Sequence, residues 1–210
     1  MIGKTAFTMI AVALLIFSSH DSVARDIGLS RASIKRFHIK EILADSNTFS
    51  LVKDIYLDKP SLFSSSNDFS FLTILDSFPK MDTYHKGFYF VTIAKSYHRA
   101  DGAYAEGLGA AGLSYVRDHR KEFANYFIGR GKLPDIYIEL WSNICCLEYS
   151  LLLDNDKASA DNFISSILEK GLSADETDRM MSFDALLFLC SHPAKIVPIY
   201  IKNGKTTPQK

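Results

Sequence analysis

Apolar residues recur at helical spacing along most of this chain. Between residues 30 and 58 they predict two amphipathic helices, the second of which ends before Pro60. Ser66 or Asn67 is placed to cap a third helix, which Pro79 stops. The first third of the chain is therefore predicted to contain short helices joined by short loops.

The stretch 82–98 combines two conflicting signals. Its segment GFYFVTIA is rich in aromatic and β-branched residues, which favour strands. Tyr84, Phe88 and Val91 nevertheless share one helical face, with polar residues of the stretch on the opposite side. We therefore predict a helix here.

Signals for helix ends are clearer in the second half of the chain. Pro134 opens a long helix, and Gly171 follows the end of another. Ser173 and Glu176 have the spacing of a capping box, in which each side chain bonds the backbone N–H of the other residue. These signals predict helices over 118–128, 134–153, 159–170 and from 173 to the His192-Pro193 pair.

Together these elements predict a mostly all-α fold. It is a single-domain multi-helix bundle, or an irregular array of helices, over residues 25–203. The apolar stretch 194–204 fits a short edge strand or an extended strap across the core, and residues 204–210 are predicted to be a disordered tail. The chain of 210 residues is 47% apolar and 23% charged, which is typical of a globular protein.

The N-terminus has the pattern of a secretory signal peptide. Lys4 gives it a positive start, residues 5–17 are an apolar core, and residues 22–24 offer a small-x-small cleavage site. The apolar core is shorter than the roughly 20 residues that a membrane span needs, although a short anchor helix is an alternative. We predict that residues 1–24 are cleaved and that the chain is exported to the periplasm or the cell exterior, with no stable membrane anchor afterwards.

Overall charge argues against one class of partner. Lys and Arg together number 24, as do Asp and Glu, so the formal net charge is zero. Such a chain has no general electrostatic attraction for nucleic acid or for an anionic membrane surface. Nucleic-acid binding is therefore not expected.

Three cysteines, Cys145, Cys146 and Cys190, allow one disulfide, which is the usual state in an oxidising compartment. Cys145 lies in the apolar arc of its predicted helix, and Cys190 belongs to ALLFLC, a run that is apolar all round and is expected to be buried. Cys145–Cys190 is thus the first predicted pairing. Cys146–Cys190 is the alternative if the second helix lies on the other flank. Zinc is disfavoured because adjacent cysteines chelate poorly from a helix, and no metal or other cofactor is predicted.

The stretch 97–123 contains four glycines and raises the question of a ligand-cradling loop. It lacks the G-x-G-x-x-G and P-loop patterns that cradle phosphates. Ala103, Gly107, Ala110 and Ser114 form a narrow stripe of small residues, so we predict the close approach of a neighbouring helix. Dispersion contacts along that stripe would offset the cost of three interior glycines, on the order of 3 kcal/mol relative to alanine.

Candidates for catalysis are few. The sequence contains no nucleophile elbow, no zinc-protease motif and no papain-like cysteine context. Glu148 projects into the apolar arc of its predicted helix, and a buried carboxyl group with a raised pKa can act as a general acid. His98 or His119 would be its partner. All three also have structural explanations, as an internal ion pair, a hydrogen-bonded residue or a solvated histidine.

The lack of a catalytic constellation favours a non-enzymatic role. Ten Tyr and fifteen Phe exceed what the core needs, and the candidate interface anchors are Tyr84, Tyr89, Tyr104 and Tyr126. We expect an exported helical protein that binds a protein partner, as an interaction protein or an inhibitor of the immunity type. The parallel with immunity proteins is one of class and rests on no motif. A small envelope hydrolase using Glu148 with one of the two histidines, or a small-ligand carrier, is the alternative.

Overall fold

The structure, a computed structural model, describes residues 29–59, 68–100 and 102–192. Over these ranges the chain is helical and contains no strand, which confirms the predicted all-α class. In chain order the α-helices are α1 (Arg31–Arg36), α2 (Ile39–Ala44), α3 (Ser50–Tyr56), α4 (Asp68–Ser77), α5 (Thr83–Ser96), α6 (Gly102–Asp118), α7 (Arg120–Asn125), α8 (Ile136–Asn155), α9 (Lys157–Ile167) and α10 (Ala174–Ser191), with 3-10 helices at Phe78–Lys80 and Tyr97–Arg99.

Several sequence predictions fall outside the described residues. They are the signal peptide over 1–24, the helix cap at 66 or 67, the strand or strap over 194–204 and the tail over 204–210. All of them stay predictions.

Local sequence signals set where the helices begin. Asp82 caps α5 by accepting a hydrogen bond of 2.9 Å from the backbone N–H of His85. At α10, Ser173 and Glu176 form the predicted capping box. α5 is helical despite its strand-favouring residues because it is buried on all sides from residue 87 to residue 94. A helix enclosed by its neighbours is apolar on all sides, and burial of these side chains outweighs their local preference for a strand.

Aromatic rings form the centre of the core, and Phe90 of α5 lies in the middle of them. Its ring stacks on Trp141 of α8, with centroids 4.4 Å apart, and lies 4.5 Å from the ring of Tyr126. Tyr115 of α6 and Phe123 of α7 follow at 6.1 and 5.7 Å. One side chain of α5 therefore joins three other helices.

α6 and α8 approach each other closely at two glycines. A Cβ atom on Gly109 would lie 3.3 Å from the backbone oxygen of Ile144, and one on Gly112 would lie 2.6 Å from the Cγ2 methyl of Ile144. The distance of 2.6 Å at Gly112 is too short for a carbon–carbon contact, and the distance of 3.3 Å at Gly109 is tight. Glycine at these two positions therefore allows the helices to pack this closely. The predicted close approach of a neighbouring helix to this segment is present in the structure.

The predicted stripe of small residues, however, is not where the contact occurs. Ala103, Ala110 and Ser114 are exposed, whereas Tyr104 and Leu108 on the same helix are buried. Burying large apolar side chains contributes more free energy than burying small ones, so α6 turns its larger face inward.

Cys146 of α8 and Cys190 of α10 form a disulfide, with Cα atoms 6.2 Å apart. This corrects the pairing predicted first, Cys145–Cys190, in favour of the alternative. Neighbouring residues on a helix point about 100° apart. Cys145 faces α6, where its Sγ would be 3.3 Å from a Cβ on Gly112, while α10 lies along the flank of Cys146. Cys145 is a buried free thiol, and burial raises its pKa.

α10 lies at the outside of the helical array. The disulfide and the contact between Arg179 and Asp135 (3.4 Å) both join residues 44 apart in sequence, so α8 and α10 run parallel. Phe183 of α10 packs on Phe123 of α7 with ring centroids 5.0 Å apart. One side of α10 is therefore fixed to α7 and α8.

No single helix among the described residues has the length and apolar character needed to cross a membrane. The two parts of α8, Ile136–Cys146 and Glu148–Asn155, meet those criteria only jointly and across a bend of 44°.

Replacing Gly112 with alanine tests the close approach of α6 and α8. The added methyl collides with a branched, buried side chain that cannot easily move, which costs about 1–3 kcal/mol. This exceeds the gain of about 1 kcal/mol in helix propensity. We expect urea denaturation to give a free energy of unfolding about 1 kcal/mol below that of the unchanged chain.

Gly107→Ala is the matched control on the same helix. Its Cβ would meet only the terminal Cδ2 of Leu72, which can rotate away, so the variant should be neutral or more stable by up to about 1 kcal/mol. Equal stabilisation by both substitutions would contradict the proposed packing.

Replacing Cys146 with alanine tests the disulfide. Because the bridge joins residues 44 apart, its loss should lower the free energy of unfolding by about 4 kcal/mol. Cys145→Ala keeps the bridge and should cost only about 1 kcal/mol. Thiol titration of the unchanged chain should detect one thiol, reactive only in denaturant. Equal losses in the two variants would show that the bridge does not form.

Candidate functional site

The sequence predicted that the catalytic candidate Glu148 is buried in the core, and this prediction is wrong. Glu148 is half-buried on α8, where its Cβ atom would be 3.6 Å from a Cβ on Gly109 of α6. Within the described residues its carboxylate has no hydrogen bond or ion pair. The Glu148 side chain therefore lies at the edge of the contact between α6 and α8, where it is partly accessible to water.

His98 lies in a different place, in the 3-10 helix that follows α5. Its Nε2 is 3.5 Å from Oδ1 of Asp58, and the Nε of Arg99 is 2.7 Å from the same oxygen. Lys95 also faces this group, with its ammonium 4.2 Å from the ring centroid of Tyr56. Burial lowers the pKa of Lys95, and the charge of Asp58 opposes that effect. The group ties the end of α3 to the end of α5, which is a structural role.

His119 lies at the junction between α6 and α7, and it belongs to a cluster around Glu122 that sequence reasoning missed. Its Nδ1 is 3.9 Å from the carboxylate of Glu122, and its ring stacks on Tyr115. The hydroxyl of Tyr126 donates a hydrogen bond of 2.6 Å to Glu122, and the ammonium of Lys86 lies 3.3 Å from it. No local sequence pattern links Lys86 to Glu122, because they come from different helices.

Burial and Glu122 together raise the pKa of both nearby tyrosines. Burial is the larger cause for Tyr126, and its hydrogen bond to Glu122 adds to the increase. Tyr115 is buried beside them without a hydrogen bond in good geometry among the described residues, and its pKa is raised well above the usual value. Tyr126 and Lys86 together hold the Glu122 carboxylate in one position.

A surface cleft of about 480 Å³ opens next to this cluster. Arg36, Tyr84, Glu122 and Tyr126 are among its lining residues. Arg36 is already bonded to the backbone oxygens of Ile128 and Asn125, at 2.8 and 2.7 Å. Tyr84 and Tyr126, two residues singled out from the sequence, therefore line this cleft, and His119 lies next to it through its contact with Glu122. Glu148 and His98 are not among the lining residues.

Most of the predicted interface tyrosines are not available to a partner. Tyr89, Tyr104 and Tyr126 are only 8%, 4% and 9% exposed, so their proposed role as surface anchors is wrong. Their rings fill the core, and the Tyr104 hydroxyl shares a hydrogen bond of 2.6 Å with Ser96. Tyr84 is exposed (42%) and stacks on His38 with centroids 4.2 Å apart.

Exposed apolar side chains instead concentrate on α10. Met181, Phe188 and Leu189 are 56%, 48% and 45% exposed, and Ala185 between them is also exposed. We call these four residues the α10 face; their spacing of four, seven and eight places them on one side of the helix. This corrects the prediction that the ALLFLC run is buried all round. Neighbouring helices cover α10 on one side only, where Leu187 is buried.

Carboxylates border the α10 face. At about 100° per residue, Asp178 lies about 60° to one side of Met181 and Asp184 about 60° to the other. Asp175 lies beyond Asp178, near the start of the helix. None of these three carboxylates takes part in an ion pair within the described part of the chain. Burial raises the pKa of Asp184.

Across residues 29–59, 68–100 and 102–192, no three His, Cys, Asp or Glu side chains are grouped so that they could hold a metal ion. Comparison with protein-family models, with curated proteins and with solved structures gave no match to this chain.

The buried tyrosines should make the fold sensitive to alkaline pH. Burial raises the pKa of Tyr97 and of Tyr104 to about 12, although the hydrogen bond between Tyr104 and Ser96 partly opposes the change at Tyr104. Unfolded tyrosine ionises near ~10. The stabilising contribution is therefore complete below about pH 10 and is lost between pH 10 and 12, by up to about 1.4 kcal/mol per pH unit for each tyrosine.

Urea denaturation at several pH values would measure this slope. Tyr104→Phe should lower this slope by the equivalent of about one proton. A free energy of unfolding that stays constant from pH 10 to 12 would contradict the burial of these hydroxyl groups.

Proposed function

We propose that this chain is an exported, non-enzymatic helical protein that binds another protein through the α10 face. The observation that carries the proposal is the grouping of Met181, Phe188 and Leu189 on one exposed side of a single helix. Isolated exposed apolar residues are common on soluble proteins, but contiguous ones with a polar border are typical of protein-binding sites. Export is supported by the sequence of residues 1–24, and the disulfide is compatible with it.

The core of the molecule gives the α10 face a rigid base. Met180, Phe183 and Leu187 anchor the inner side of α10, and the disulfide links its last turn to α8. A surface held in one conformation loses little entropy when a partner docks, which favours binding. Phe188 is the expected anchor residue, since a large aromatic ring contributes more to the free energy of binding than a smaller side chain when a partner covers it.

Two alternative functions have less support. A hydrolase built on Glu148 with His98 or His119 would need these groups to converge, and their contacts within the described residues lie with Gly109, Asp58 and Glu122 respectively. The second alternative, a small-ligand carrier, predicts an apolar internal cavity, whereas the cleft beside Glu122 opens at the surface and is lined in part by Arg36 and Glu122.

Site-specific photo-crosslinking tests the proposal. A benzophenone amino acid replaces Ala185 in the full chain, which is expressed in its own host and irradiated in intact cells. We expect one protein to be crosslinked in high yield. Phe188→Ser in the same chain should remove that product, because losing an anchor ring costs on the order of 2 kcal/mol, about 30-fold in affinity.

Phe49→Ser is the matched control, since Phe49 has nearly the same exposure (51%) but lies at the start of α3. It should leave the crosslink intact. Equal loss in the two variants, or no crosslinked product, would refute protein binding through the α10 face. A small molecule retained in native mass spectrometry and lost in Glu122→Gln would favour the cleft instead.

A further inference from the structure

The border of the α10 face constrains what can dock on it. A partner that covers Met181 and Phe188 must also cover part of Asp178 and Asp184, which flank them on the same helix. Removing a carboxylate from water without giving it a counter-charge is costly. The partner therefore has to supply positive charge on both sides of its apolar contact.

Within α10 the chain does not provide positive charge to balance the carboxylates of Asp178 and Asp184. The helix carries Asp175, Glu176, Asp178 and Asp184 but only one basic residue, Arg179. Arg179 and Lys132 line the same surface cleft as Asp178, but the ion pairs that both of them form are with Asp135, in the loop before α8. The neighbouring helix α8 contains no Lys, Arg or His that could supply a cation to Asp184. Its Tyr149 lies near that carboxylate: burial raises the pKa of Tyr149, and the charge of Asp184 adds to the increase. His192 is the ionisable base at the C-terminal end, stacked on Phe188.

The dimensions of the surface suit a helical segment. From Met181 to Leu189 the helix rises about 12 Å, a little more than two turns. An amphipathic helix with apolar residues at positions i, i+3, i+4 and i+7 presents a stripe of the same length. Lysine or arginine on either side of that stripe would meet the two carboxylates.

We propose that the α10 face binds a basic amphipathic helical segment of its protein partner, with apolar residues packed on Met181 and Phe188 and cations paired with Asp178 and Asp184. This inference rests on the proposed function and specifies the chemistry of the partner. A second copy of this chain would bring like charges together, because its own α10 face has the same carboxylate border. An anionic membrane surface is disfavoured for the same reason.

Two synthetic peptides test the proposal on the full chain. Both are 18-residue amphipathic helices with the same leucine face; one carries lysine on its flanks and the other carries glutamate. Fluorescence anisotropy of the labelled peptides measures Kd. We expect the lysine peptide to bind at least tenfold more tightly than the glutamate peptide. Phe188→Ser should weaken binding of the lysine peptide, and 1 M salt should reduce the difference in Kd between the two peptides.

A charge-reversal pair makes the test specific. The double variant Asp178→Lys/Asp184→Lys should prefer the glutamate peptide. The control Asp76→Lys/Glu106→Lys changes net charge equally on exposed positions of α4 and α6, and it should keep the preference for lysine. If both double variants prefer the glutamate peptide, net charge decides binding; if both keep the preference for lysine, Asp178 and Asp184 do not bind the cations. Either result would overturn the proposal.

Three further outcomes would also overturn it. One is equal affinity for both peptides. If the photo-crosslink persists in that case, the proposal of protein binding through the α10 face is retained, and only the proposed basic character of the partner is refuted. Another is binding to phosphatidylglycerol vesicles but not to the peptide. The third is binding of the lysine peptide only after Lys195→Glu and Lys202→Glu, because residues 193–210, which carry four lysines and no acid, would then be the natural occupant.

Discussion

Packing of aromatic rings around Phe90 is the interaction on which the arrangement of helices depends. Phe90 lies on the most enclosed helix, α5, and its ring meets Tyr115, Phe123 and Trp141 from three other helices. Each such pair contributes roughly 0.5–1.5 kcal/mol beyond the burial of its surface. The cluster also contains two buried polar atoms without a hydrogen bond among the described residues, the Tyr115 hydroxyl and the Trp141 Nε1. The rings must therefore stabilise the core enough to offset these two atoms.

This core leaves the outer side of α10 exposed. α6 approaches α8 closely at Gly109 and Gly112, so the aromatic cluster closes without any contribution from the outer side of α10. α10 then attaches through Phe183 and the Cys146–Cys190 bridge. Its outer residues, Met181, Phe188 and Leu189, are therefore not needed to complete the core.

Local charge differs from the overall balance. The chain is neutral as a whole, yet α10 carries four acids and one base. A neutral composition excludes long-range attraction to polyanions, but it says nothing of a patch that acts at contact distance. Short-range pairing on a rigid helix gives specificity for a partner of opposite charge rather than a general affinity for charged surfaces.

Sequence alone determined the helical class and the approximate ends of the helices after residue 118, because caps, prolines and helical periodicity act within a few residues of the chain. The capping box of Ser173 and Glu176 and the start of α8 after Pro134 are examples. Sequence alone missed that the first of the two helices predicted between residues 30 and 58 is divided into α1 and α2 at His38, which has a φ of 50°. Only the tertiary structure decided which cysteine meets Cys190, which face of α6 is buried, and that Phe188 is exposed while Leu187 is not. Those outcomes depend on where a neighbouring helix lies, and an apolar residue on a helix has the same local signal whether or not another helix covers it.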